Sequence, residues 1–175
     1  IVPTIISSLT FPYIKHFVDK LTMRLFYHDS YQVRDILNRL TDVLIAASGT
    51  QQIMSRSMEV LGSAIHPSSI YVAVVDKKGS IVDDDGAVPL NFHVITKDVH
   101  LKKHIIVSRD EHENTKIAHE MDIAGAGLIL VLKHKKSVVG YVFFGMKKSG
   151  GSYTSKDIQL LTISAKNLAI ALENA

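Results

Sequence analysis

The last quarter of the chain, Leu128 to Ala175, constrains the fold more than any other stretch. Leu128 to Lys133 is a near-continuous apolar strand, His134 to Ser137 is a short basic turn, and Val138 to Met146 is a second apolar strand. Two such runs around a tight turn read as a β-hairpin. The small-residue run Gly125-Ala126-Gly127 leads into the first strand. Gly140 and Gly145 lie inside the second, where glycine marks a bulge or a close approach of another backbone. A Gly- and Ser-rich loop, Lys147 to Ser152, follows. Thr154 then stands three residues before Asp157, a variant of the capping box that opens a helix.

That final helix carries two apolar sets. Ile158, Leu161, Ala165, Leu168 and Leu172 recur at spacings of 3, 4, 3 and 4, while Leu160, Ile163 and Ile170 form a second set on another face. The expectation is that one set packs on the sheet and the other joins the N-terminal helices of a second subunit, with Leu161, Leu168 and Leu172 as dimer-interface candidates. The alternative is a single wide stripe on a helix half-buried in its own domain.

Helical spacing also rules the N-terminal part. Phe11, Ile14, Val18, Leu21, Leu25 and His28 follow a heptad seam, from which Ile14, Val18, Leu21 and Leu25 are further dimer-interface candidates. The seam resumes one residue late as Val33, Ile36, Leu40, Val43 and Ala47, so the winding changes or breaks near His28 to Tyr31. Asp29 and Ser30 suit the capping of a second helix. Ser48-Gly49-Thr50 separates it from a third, Gln51 to Ile65, whose apolar face is Ile53, Met54, Met58, Leu61 and Ile65. After the break at His66-Pro67, Ile70 to Val75 is apolar on both alternating faces, as in a strand covered on both sides. Asp76 to Gly79 is a turn, Ser80 to Val82 starts a return strand, and Asp83 to Gly86 is an acidic loop. Between Ala87 and Asp122 the elements are short: a strand at Phe92 to Ile95, a helix at Asp98 to His104, a strand at Ile105 to Ser108, a charged loop at Arg109 to Asn114 and a helical turn or two at Thr115 to Met121. Two hairpins with flanking helices argue an α+β domain built on an antiparallel sheet. Residues 1–30 are expected to be a signalling helix or linker, and residues 31–175 the domain proper.

Composition narrows the function classes. The chain has no cysteine, which removes disulfides, thiolate catalysis, iron–sulfur clusters and thioether-linked chromophores and fits a reducing, cytoplasmic setting. The net charge of +3 is small and the basic residues are scattered in sequence, so no nucleic acid is expected as a partner. No run of about 18 apolar residues is present. The apolar opening, Ile1 to Ile14, reads either as the end of a membrane segment or as a packed terminus, which keeps open the cytosolic part of a membrane-anchored protein. No catalytic constellation and no metal site is expected. His100 and His104 have the i,i+4 spacing of a metal pair without a fixed third ligand, and Asp83-Asp84-Asp85 lacks the alternation of a calcium loop, so exposed side chains are the simpler account of both.

The C-terminal segment, with "LILVLK", "VVGYVFFG" and "YTSKDIQLLTISAKNLAIALENA", resembles the second half of a GAF domain, and Val33 to Leu37 with "SSIYVAVVDKKGSIV" agrees with the first half. The resemblance spans Tyr31 to Ala175 and is weakest from Asp83 to Met121. It implies a central antiparallel sheet whose N- and C-terminal helices pack together. It further implies a non-catalytic sensory module, of the kind that precedes the phosphoacceptor helices of sensor histidine kinases, working as a homodimer with an output domain C-terminal to it. GAF domains also precede transcription-factor and cyclic-nucleotide enzyme modules, and a purely structural spacer is the other reading. No cofactor is required; haem on one of the middle histidines, or another small molecule, stays open. If a ligand pocket exists, its expected lining is Tyr71, Phe92, His93, Leu101 and His104.

Overall fold

A computed structural model gives the architecture; it describes residues 32–76, 78, 80–84, 103–111 and 116–175. Their elements are α1 (Val33–Ala46), α2 (Thr50–Ile65), β1 (Ile70–Val75), β2 (Ile81–Asp84), β3 (Ile106–Ser108), α3 (Lys116–Ile123), β4 (Ala126–His134), β5 (Ser137–Gly145) and α4 (Ser155–Asn174). A 3-10 turn, Arg109–Glu111, links β3 towards α3. The five strands form one sheet in the order β2-β1-β5-β4-β3, every neighbouring pair antiparallel. This is the α+β arrangement that the hairpin-and-helix order predicts.

The central strands explain the sequence pattern. β4 is buried from Ala126 to Leu132, and β5 from Val139 to Gly145, because both faces of the sheet are covered. Val72, Val74, Leu128, Leu130, Leu132, Val142 and Phe144 face a core shared with α1, α2 and α4. Ala73, Val75, Ile129, Val131, Tyr141 and Phe143 face the opposite side, where Ile117 and Met121 of α3 lie with Val107. Alternation therefore appears in the structure as two different cores rather than as a wet and a dry face.

Helix boundaries follow local chemistry. The face Ile53, Met54, Met58, Leu61 and Ile65 of α2 is buried throughout. Gly49, at φ 90°, separates α1 from α2, and His66 ends α2 in the left-handed conformation at φ 54°. Of the α1 seam, Ile36 and Leu40 are buried, while Val33, Val43 and Ala47 pack half-buried on the same core. α1 packs against α4, so the first and last described helices do lie together.

The glycine reading is met at two sites. A Cβ on Gly140 would stand 2.8 Å from the Ala73 carbonyl oxygen, and one on Gly145 would run into the backbone nitrogen and hydroxyls at Ser68 and Ser69. Both are places where β5 crosses tightly against β1 and its lead-in.

Some boundaries differ from expectation. Asp83 and Asp84 belong to β2, paired with Val74 and Ala73, rather than to a loop. Cross-strand pairing with the buried Ala73 and Val74 of β1 outweighs the low strand preference of aspartate. Part of the charged loop after Ser108 is the 3-10 turn, and α3 runs on to Ile123. His104 is exposed and outside any helix. The proposed heptad at Phe11–His28, the caps Asp29 and Ser30, and the elements at Phe92–Ile95 and Asp98–Lys102 lie outside the described residues. Among the described residues no helix is long and apolar enough to cross a membrane.

Candidate functional site

Two places in the fold bring chemistry together. The first is the root of α4. Thr154 caps the helix as the sequence predicts: the Asp157 backbone N–H donates to Thr154 Oγ1 at 3.2 Å, and the Thr154 N–H donates back to Asp157 Oδ2 at 2.8 Å. The same Oδ2 accepts from Thr154 Oγ1 at 2.9 Å and from Lys147 Nζ at 2.8 Å. The lysine and aspartate side chains are 4% and 0% exposed, so this is a buried ion pair.

Lys147 belongs to a segment tied to a third element. Ser68 N–H donates to the Met146 carbonyl and Lys148 N–H to the His66 carbonyl, while Lys147 bridges to Pro67. One buried contact thus joins the end of β5, the connection from α2 into β1, and the start of α4. Tyr153 closes the cluster by donating its hydroxyl to the Gly145 carbonyl at 2.5 Å.

Burial, and secondarily the Asp157 charge, push the Tyr153 phenol well above its ordinary range. The unfolded chain ionises tyrosine near pH 10, about where a free phenol titrates. Above that pH the native state holds its proton longer than the unfolded state, so stability is expected to fall as pH rises. Tyr141, raised by burial, adds in the same direction. Urea midpoints measured at neutral pH and again above pH 10 check this: Tyr153→Phe is expected to be less stable than wild type at neutral pH, by about 1 kcal/mol for the lost hydrogen bond, and to show a shallower alkaline decline. An equal decline in both proteins would rule Tyr153 out as the source.

The second place is the sheet face away from α1, α2 and α4. Tyr141 and Phe143 stack there at a centroid distance of 6.3 Å, 19° from parallel. Tyr71 packs half-buried on the same cluster. Of the expected pocket lining, Tyr71 is thus on this face and His104 is exposed beside β3. Phe92, His93 and Leu101 lie outside the described residues. Among the described residues no three of His, Asp or Glu come close enough to hold a metal ion.

The dimer candidates on α4 are turned inward. Leu161, Leu168 and Leu172 are 0%, 1% and 9% exposed and belong to the domain's own core, together with Leu160 of the other set. The first set and Leu160 of the second meet the core formed with the sheet and α1. What α4 leaves exposed is Ile163 and Ile170, seven residues apart. Ile14, Val18, Leu21 and Leu25 lie outside the described residues.

Sequence reasoning passed over Lys147 and Asp157 as a pair. Lys147 was indistinguishable from the loop lysine beside it, and only the capping role of Asp157 was visible. A lysine followed by a capping carboxylate ten residues on is too common to single out.

No protein-family model and no curated protein matches the sequence. Among solved structures, the GAF domain of a phosphoenolpyruvate-protein phosphotransferase from Coxiella burnetii is similar with a TM-score of 0.58 and 14% identity, over 82% of this chain and 94% of that one. The corresponding GAF domain from Acinetobacter is similar with a TM-score of 0.58 and 12% identity, over 83% and 96%. A fragment of a methyl-accepting chemotaxis protein follows with a TM-score of 0.52 and 13% identity, over 79% and 95%. With its antiparallel sheet between a three-helix layer and α3, the chain has the fold of a GAF domain.

Proposed function

We propose that this domain is a non-catalytic sensory and relay module in a cytoplasmic signalling protein, a two-component sensor histidine kinase, working as a homodimer whose output leaves through α4. The observation that carries the reading is how α4 is mounted. It is 20 residues long, fixed at its root to the β5 end and the β1 lead-in through Lys147 and Asp157, and packed along β4 and α1. A rigid helix so attached moves with the sheet, and a shift at the sheet reaches its far end about 30 Å away. The exposed Ile163 and Ile170 offer the apolar stripe along which a second copy would align. A small molecule on the Tyr71, Tyr141 and Phe143 face, with Phe92, His93, Leu101 and His104 as further lining, is the input this reading calls for.

The dense packing of Tyr141, Phe143 and Met121 on that face favours a second reading, a spacer that sets dimer geometry and binds nothing small. A thermal-shift screen of metabolites separates the two. A ligand selective for the native state, present at a hundredfold its Kd, adds about 2.7 kcal/mol and raises Tm by several degrees. A flat screen with a dimeric protein supports the spacer. Incubating the intact protein with radiolabelled ATP tests the kinase assignment; no acid-labile phosphohistidine would remove it.

A further inference from the structure

One end of the sheet gathers positive charge that the sequence spreads over sixty residues. The β4–β5 turn lies there, with His134 paired to Ser137 and Lys135 and Lys136 at its tip. The β1–β2 turn lies at the same end, because Val74 pairs with Gly140 and the next residues lead into Asp76 and Lys78. The lead-in to β3 arrives there too. Ile106 pairs with Leu130 and the Ile105 carbonyl accepts from Val131 N–H, so the register carries Lys103 to the level of Lys133. Lys78, Lys103, Lys135 and Lys136 are exposed and Lys133 is half-buried. Among the described residues these five lysines stand together at one end of the sheet.

Asp76, Asp83 and Asp84 offset these five lysines only in part. Asp76 Oδ1 accepts from the Lys78 and Ser80 N–H groups and serves the turn. Asp83, opposite Val74, is in the row next to Lys133, and Asp84, opposite Ala73, is one residue further along β2. Beside the lysines, Ile81 and Val82 are 38% and 61% exposed. Lys135 is also held in the left-handed conformation, at φ 55°, where glycine or asparagine would sit without strain. The turn keeps a lysine where the backbone favours another residue.

We propose that this end of the sheet docks on an anionic lipid surface. Every cation named is lysine and none is arginine. A lysine head is a hydrated point charge suited to a diffuse layer of headgroups, whereas paired recognition of single phosphates or carboxylates favours arginine. Turn tips at one end of a sheet present these charges together, and Ile81 and Val82 supply the apolar contact that interfacial binding adds.

Vesicle co-sedimentation of the 175-residue protein tests the proposal, with phosphatidylcholine alone and with added phosphatidylserine. Binding is expected only with phosphatidylserine and is expected to weaken as salt rises. Lys135→Gly removes a charge and relieves the strained φ, so Tm is expected to hold or rise while affinity falls about fivefold. Adding Lys136→Gln is expected to lower it about fivefold again. Lys166→Gln, on the exposed face of α4, is expected to bind like wild type. Equal binding to both vesicle types, an unchanged affinity in the double variant, or direct binding to duplex DNA or poly-glutamate as tight as to the vesicles would each overturn it.

Discussion

Asp157→Ala is expected to cost about 3–5 kcal/mol of folding stability, the range seen when one partner of a buried ion pair is removed. The reason lies in what remains: Lys147 Nζ, 2.8 Å from its carboxylate and almost fully buried, keeps its charge in the interior without its counter-ion. Both Thr154 groups that donate to Oδ2 also lose their acceptor. Against a total of about 5–15 kcal/mol for a domain, such a loss leaves a large unfolded fraction at physiological temperature. Asp157→Asn separates the contributions, since the amide oxygen still accepts from Thr154 while the charge is gone. It is expected to be milder than alanine but still destabilising. Lys147→Met with Asp157→Asn is expected to recover much of the loss, because no lone charge remains. Urea titrations followed by circular dichroism give the values. If Asp157→Asn and Lys147→Met each cost under about 1 kcal/mol, the pair behaves as a solvated surface bridge and the rooting of α4 proposed above loses its main support.

Why that pair escaped a reading of the sequence, while so much around it did not, follows from the range of the forces involved. The β4–β5 hairpin and the Thr154–Asp157 cap were legible because their partners are neighbours in sequence: a turn, a cap and an alternation each fit within a few residues. The double-sided burial of β1 is legible for the same reason, and it holds from Val72 to Val75, with Ile70 and Tyr71 half-buried. The Lys147–Asp157 contact depends on the loop between them folding back, and on the α2–β1 connection holding Met146 to Lys148 in place. The faces of α4 failed differently. Its apolar positions cover so wide an arc that Leu160 and Leu161, adjacent in sequence, are both fully buried. Spacing identifies such a helix but not which side of the arc meets the sheet, because that is decided by where α1 and β4 stand. On the sheet face away from α1, α2 and α4, the alternation of β1 places Tyr71, while Tyr141 and Phe143 read in the sequence only as strand formers. That they share a face follows from strand alternation, but that Phe143 stands opposite Tyr71 needs the register between β1 and β5.

Leu161→Glu is therefore expected to unfold the domain rather than separate a pair of intact subunits. Leu161 is 0% exposed in the core formed by α1, α2, α4 and the sheet. Truncating a buried leucine to alanine already costs about 2–5 kcal/mol, and a carboxylate in its place adds desolvation that no partner offsets. Circular dichroism is expected to show lost structure, or a Tm lowered by tens of degrees. Ile163→Glu with Ile170→Glu is the contrasting pair. These side chains are 37% and 47% exposed in the single chain, so little core packing is lost and Tm measured at low concentration is expected to change little. If α4 is the seam between two copies, the two carboxylates of each subunit meet those of its partner, and sedimentation velocity is expected to show dimer converting to monomer at micromolar concentration. The outcomes are distinct. A folded, dimeric Leu161→Glu protein would mean that α4 faces the other way, with its leucines outside. A folded Ile163→Glu, Ile170→Glu protein that stays dimeric would place the subunit contact elsewhere. A monomeric wild type would remove the dimer from the proposed function while leaving the mounting of α4 as it is.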